Sequence, residues 1–144
     1  MAAEALTRAL AEKSKSSRVA IGGIRNCNHI GRLGEYAEVA AARGMCSQVW
    51  ASGQGVEAPA AVPYGGMRAV LHTNPIAIGV PAGGEPPMVI DYATTVVSGV
   101  KVIMAHQEGK AIPPGMIVDK EGRETTDPGD LLDGGAHLPF GGHK

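Results

Sequence analysis

Asn26-Cys27-Asn28-His29-Ile30-Gly31-Arg32 lies between the apolar run Val19-Ala20-Ile21-Gly22-Gly23-Ile24 and a helical pattern that begins near Leu33. The apolar run reads as a buried strand, which places His29 at a strand-to-helix turn. Ligand sites in α/β folds lie beyond strand ends, so a histidine at such a turn faces a cleft. An imidazole gives or takes a proton near neutral pH. His29 is therefore a candidate catalytic residue. The competing reading is a histidine that only satisfies backbone groups in a tight turn.

Outward from this stretch, Leu33, Tyr36, Ala37 and Ala40 form the apolar face of a helix running to about Arg43, with Gly44 as its stop. Cys46 to Ala51 reads as a second strand, so strand, helix and strand together suggest a parallel crossover. Upstream, residues 2–13 carry Ala3, Leu6 and Leu10 on one side of an amphipathic helix. Downstream, Ser52-Gly53-Gln54-Gly55 opens a loop with phosphate-cradling potential, or simply a plain loop. Short strands are expected at Arg68–Leu71, Ile76–Val80 and Met88–Asp91, the last ending on a carboxylate. Thr94 to His106 turns helical, with Val96, Val100, Ile103 and Met104 apolar and Asp91, Thr94 or Thr95 as its cap. Met116–Asp119 is strand-like, residues 120–123 form a turn, and Pro128 suits the first position of a helix.

Composition narrows the function classes. The 144 residues suit one domain, and a second is not expected. Thirteen basic and 14 acidic residues are scattered to a net charge of −1, which leaves no basic footprint for nucleic acid. Cys27 and Cys46 form no C-x-x-C pair and read as free thiols. The chain shows neither a signal-peptide pattern nor an apolar run near the ~18 residues of a membrane span, so a cytoplasmic protein is expected. The histidines show no metal-ligand spacing, and no G-x-S-x-G elbow supports a serine hydrolase. Cys27 beside His29 suggests a thiol nucleophile, but side chains two apart in a turn rarely converge. The 21 glycines favour loops that approach a ligand closely.

The segment Cys27-Asn28-His29-Ile30-Gly31-Arg32-Leu33-Gly34-Glu35-Tyr36-Ala37-Glu38 resembles the active-site segment of the malate/L-lactate dehydrogenase family of the non-Rossmann type. That family includes ureidoglycolate, sulfolactate and hydroxycarboxylate dehydrogenases. Further similar blocks follow in order: Val62-Pro63-Tyr64-Gly65-Gly66, Thr73-Asn74-Pro75-Ile76-Ala77, Ile90-Asp91-Tyr92-Ala93-Thr94, Ile112-Pro113-Pro114-Gly115, Thr125-Thr126-Asp127-Pro128 and Phe140-Gly141-Gly142-His143-Lys144. The resemblance implies a three-layer α/β fold with a mixed sheet, like sulfolactate dehydrogenase and unlike a Rossmann domain. It implies NAD- or NADP-dependent interconversion of a 2-hydroxy acid and its 2-oxo acid, with His29 as proton donor and acceptor.

By the same resemblance Gly53, Asp91, Tyr92, Ala93 and Lys144 contact the cofactor. A longer loop near Gly53 leaves Ser52 or Gly55 as alternative equivalents. Arg32 is a candidate partner for the substrate carboxylate, or else points to solvent or pairs with Glu35. The family enzyme is much longer, so residues 1–144 correspond to its central cofactor- and substrate-binding part, with N- and C-terminal parts missing. Such enzymes are homodimers. Two other readings stay open: reduction of a cyclic imino acid, and a non-catalytic remnant with residual nucleotide binding. Cys27, where a small hydroxyl residue is common, and Val100, where glycine is usual, depart from the family pattern.

Overall fold

Helical spacing of Leu33, Tyr36, Ala37 and Ala40 gives one continuous apolar stripe, and a stripe of that kind is stable only against a partner. In a computed structural model, which describes residues 2–53 and 60–141, that partner is a small antiparallel sheet. The chain divides into two compact units, Met1–Ala51 with Pro75–Tyr92, and Ser52–Asn74 with Ala93–Lys144.

The first unit contains α1 (Ala2–Ser17), α2 (Leu33–Ala41), β1 (Ser47–Trp50), β2 (Ile76–Ala82) and β3 (Glu85–Tyr92). The strands pair in the order β1-β2-β3, antiparallel throughout. Register fixes the faces, because side chains alternate along a strand. Val49 pairs with Ala77, which pairs with Asp91, and Gly79 pairs with Val89. This is the side that α2 covers: Leu33, Ala37 and Ala77 form the core, with Ile30, Val49, Ala51 and Val89 packed on it. A Cβ at Gly79 would sit 2.6 Å from the Ala37 carbonyl oxygen, so the glycine sets how closely helix and sheet approach. The opposite side carries Trp50, Met88 and Ile90, all exposed. Pro81 falls at the register shift between Val80 and Ala82, and Pro86 and Pro87 lie in β3, an outer strand of the three.

The parallel crossover expected from Val19–Ile24 does not form. Those residues are not a strand, and Ile21 is 89% exposed. The segment lies along α1 instead, where a Cβ at Gly22 would meet the side chains of Leu6 and Leu10. Two glycines in a six-residue run weaken strand formation, and a short apolar run does not by itself specify a strand.

The second unit contains α3 (Gly99–Gln107), β4 (Ile117–Val118), β5 (Glu124–Thr125) and β6 (Ala136–His137), with strand order β5-β4-β6, again antiparallel. Two small cores hold it: Val62, Val118 and Ala136, and Val102, Ile112 and Ile117. Asp127 caps a 3-10 helix over Pro128–Leu131 by accepting from the Gly129 N–H at 2.8 Å, with Pro128 in the first position as expected.

Three expectations change in this unit. Helix α3 begins at Gly99, and Thr95 instead bridges to Pro139. The buried face of α3 is Val102 with Ala105, while Val100 and Met104 point outward. Arg68–Leu71 contributes only an isolated bridge between Leu71 and Ala61.

Candidate active site

Helix α2 starts without a conventional cap. Its N-cap residue is Arg32, in an extended conformation and with no side-chain hydrogen bond to the helix backbone. The first N–H groups of any helix lack intrahelical acceptors and must be satisfied from elsewhere. Asp91 does this from the end of β3: its Oδ2 accepts from the Gly34 N–H at 2.7 Å. A carboxylate at that point also complements the positive end of the helix dipole. Gly34 has no side chain in the way; a Cβ there would lie 2.4 Å from Arg32 Nη1 and 2.8 Å from Asp91 Oδ2.

Arg32 itself is committed to Glu38, with Nη2 donating to Oε1 at 2.9 Å, and not to Glu35. That bond and the Glu38 charge push the Arg32 pKa up, followed by the charges of Asp91 and Glu35. The guanidinium stays charged at the mouth of α2.

The turn before the helix is held at several points. Gly31 takes a left-handed conformation (φ 83°), as does Asn26 (φ 56°). The first suits only glycine well, while asparagine tolerates the second. The Tyr36 hydroxyl, 1% exposed as a residue, donates to the Ile30 carbonyl. Burial pushes the Tyr36 pKa up, with smaller contributions from nearby acidic groups, so the phenol keeps its proton. His29 is exposed, and its Nδ1 accepts from the Gly31 N–H at 3.0 Å. A ring nitrogen that accepts cannot carry the proton, so neutral His29 in this arrangement is protonated on Nε2. Nδ1 is thus engaged by the backbone and not by Cys27, which is an exposed free thiol.

The structure therefore brings His29, Arg32 and Asp91 into one unit, around the start of one helix. Tyr92 follows Asp91 at the end of β3, opposite Ile76. Ala93 and Gly53, both half-buried, belong to the second unit. Lys144 and Gly55 lie outside the described residues, as does Gln54 of the proposed phosphate loop. Also in the second unit, Thr94 Oγ1 donates to Asn74 Oδ1, tying two of the blocks that carry the family resemblance. A surface notch of about 300 Å³, lined by His106, Lys110, Thr126 and Asp127 among others, contains none of the candidate residues.

Sequence reasoning missed the Asp91–Gly34 bond. The signal was present: a helix whose N-cap is arginine needs an acceptor from elsewhere, and a strand-end carboxylate supplies one.

An antiparallel α/β unit with a histidine-bearing turn fixed at a helix start differs from the parallel, Gly-rich phosphate site of Rossmann dehydrogenases. Comparison with known proteins agrees. The chain belongs to the malate/L-lactate dehydrogenase family, whose sequence model matches residues 1–144. It is 39% identical over 135 residues to a Delta(1)-pyrroline-2-carboxylate/Delta(1)-piperideine-2-carboxylate reductase from Pseudomonas syringae pv. tomato, covering 94% of this chain and 38% of that protein. It is 41% identical over 133 residues to a malate/(S)-sulfolactate dehydrogenase from Methanothermus fervidus, covering 92% of this chain and 38% of that one.

Among solved structures, a dehydrogenase from Sinorhizobium meliloti superposes with a TM-score of 0.86 at 42% identity, over 95% of this chain and 39% of that one. Sulfolactate dehydrogenase from Methanocaldococcus jannaschii gives a TM-score of 0.77 at 34% identity, over 97% of this chain and 39% of that one. The fold is that of these dehydrogenases, as the sequence resemblance implied. The chain spans well under half the length of the curated relatives it matches.

Proposed function

We propose that the chain carries the proton-transfer centre and part of the cofactor site of an NAD- or NADP-dependent oxidoreductase acting on a small 2-hydroxy or 2-oxo acid. The observation that carries this reading is His29: exposed, held in a defined turn, and with Nδ1 taken by the Gly31 N–H, so that Nε2 is the nitrogen left among the described residues to exchange a proton. Family membership and the dehydrogenase names of the relatives support the reaction class.

A bound nicotinamide dinucleotide supplies hydride in reduction and receives it in oxidation. In reduction the acid is the protonated ring, with hydrogens on both nitrogens and the Gly31 N–H contact released. Nε2–H donates to the substrate carbonyl oxygen as that oxygen becomes an alkoxide, which leaves the neutral ring with its hydrogen on Nδ1, and solvent reprotonates the exposed ring. In oxidation the base is the neutral ring with its hydrogen on Nδ1, which requires the Gly31 N–H contact to give way first. Nε2 then accepts the hydroxyl proton and the ring becomes the imidazolium. Arg32, cationic at the start of α2, is the candidate for the substrate carboxylate, and recruiting it means exchanging its bond to Glu38. Gly53, Asp91, Tyr92, Ala93 and Lys144 are the proposed cofactor contacts. Asp91 fits the role: it is exposed, and a carboxylate with one bond to Gly34 retains lone pairs for ribose hydroxyls. The enzyme is expected to be a cytoplasmic homodimer.

A reductase acting on a cyclic imino acid is the second reading, favoured by the Pseudomonas relative. The same proton donor would serve an imine nitrogen.

Fluorescence titration of the 144-residue chain with NADH and with NADPH tests the cofactor half. Saturable binding, weakened in Asp91→Ala, is expected. Absence of binding by a chain shown to be folded by circular dichroism would overturn it. Turnover with malate, lactate and a cyclic imine tests the other half, and His29→Ala is expected to lower it by roughly 10²–10⁴-fold. An unchanged rate would remove His29 from the mechanism.

A further inference from the structure

We propose that Asp91 is a positioning residue, whose carboxylate serves as the missing N-cap of α2 and thereby fixes the turn that presents His29. The inference rests on the reading of His29 as the proton carrier and adds the group that holds it.

Strand register is the first link. Asp91 pairs with Ala77, whose side chain is fully buried under α2, so Asp91 projects from the helix-covered side of the sheet. At the strand end it reaches the start of α2 and bonds a backbone N–H 57 positions away in sequence. The helix has no local substitute, because Arg32 stands where Ser, Thr, Asp or Asn would cap. Gly34 completes the fit, since any side chain would occupy the space now shared by Asp91 Oδ2 and Arg32 Nη1.

From Gly34 the restraint runs back to His29 through short links. Leu33 is buried in the helix–sheet core, and Ile30 packs on that core while its carbonyl accepts from Tyr36. Gly31, next in the chain, donates to His29 Nδ1 and selects the Nε2–H form. With the first turn of α2 pinned by Asp91, the three residues between His29 and Leu33 have little freedom. Without the pin the first turn frays, Gly31 loses its orientation, and the imidazole loses its fixed tautomer.

Nuclear magnetic resonance on the 144-residue chain tests this without requiring turnover. The readouts are the hydrogen exchange of the Gly34 amide and the imidazole ¹⁵N shifts of His29. Asp91→Ala is expected to speed Gly34 exchange by roughly fivefold or more, on the scale of a lost cap. It should also shift the His29 nitrogens from a distinct acceptor-and-donor pair toward averaged values. Asp91→Asn, whose amide oxygen caps as well as a carboxylate does, is expected to keep both signals near those of the parent. Unchanged Gly34 exchange and His29 shifts in a folded Asp91→Ala chain would overturn the proposal. If Asp91→Ala does not fold, Asp91→Asn decides: parental signals support a cap, and lost protection overturns it. Failure of the catalytic reading is separately visible, as unchanged turnover in His29→Ala with the spectroscopic coupling intact.

Discussion

Tyr36 ties α2 to the turn that carries His29. Its ring is buried, its hydroxyl donates to the Ile30 carbonyl, and burial keeps the phenol protonated. Replacement by phenylalanine preserves the packing and removes that one bond. Tyr36→Phe is therefore expected to cost about 0.5–1.5 kcal/mol. A lowered midpoint in urea unfolding with an unchanged slope would show it. A midpoint equal to the parent's would mean the hydroxyl contributes nothing to the turn. At this scale the sequence placed His29 in a turn just before a helix, because the surrounding pattern is local. It was silent about the tautomer, because that depends on one backbone N–H in a left-handed turn at Gly31. Arg32 shows the limit of local reasoning: Glu35 is the nearer acid in sequence, yet Glu38 takes the guanidinium.

The element that organises the first unit is α2 on its sheet, and Gly79 is a point of close approach between the two. The Ala37 carbonyl belongs to the helix backbone and cannot step aside from a new methyl group 2.6 Å away. Gly79→Ala is expected to destabilise by about 1–3 kcal/mol, as overpacked cores do. Met88→Gln, on the uncovered side of the same sheet, should stay within about 0.5 kcal/mol of the parent. Thermal unfolding of the two variants checks the contrast, and equal losses would mean that α2 does not pack on β2 as described. The face of α2 was legible because apolar and polar residues separate cleanly at helical spacing; Leu33, Tyr36, Ala37 and Ala40 are all buried. The face of α3 was not, because apolar residues fill both sides of Val96–Ala105 and only the core formed with Ile112 and Ile117 selects Val102. Val19–Ile24 failed for a related reason: hydrophobic content without alternation does not choose between a strand and a segment laid along a helix. The Asp91 bond to Gly34 is non-local, and no window of sequence contains both partners.

For the whole molecule, the near-balanced net charge of −1 means that overall self-repulsion is small, so individual groups set how stability varies with pH. Two windows follow. Asp119 has its pKa lowered, chiefly by accepting from the Arg123 backbone and then by the Arg123 side chain and charge. Its contribution is present above the ordinary aspartate range and is lost as pH falls through the lowered value. His137 acts nearer neutrality. It is 2% exposed, its Nδ1 is without a partner among the described residues, and burial pushes its pKa down. The unfolded chain therefore binds a proton that the folded one resists. Full stability is expected above the ordinary histidine value of ~6.5, with a decline as pH falls from there toward the lowered folded value. One such proton gives a slope of at most about 1.4 kcal/mol per pH unit. His137→Leu removes the titrating ring and its unpaired nitrogen while keeping an apolar side chain of similar reach. Urea unfolding from pH 7.5 to pH 5 should show a falling midpoint for the parent and a flatter one for His137→Leu, since the loss at Asp119 lies below this range in both. Parallel profiles for the two chains would assign the neutral-range slope to another group and leave His137 a silent part of the core.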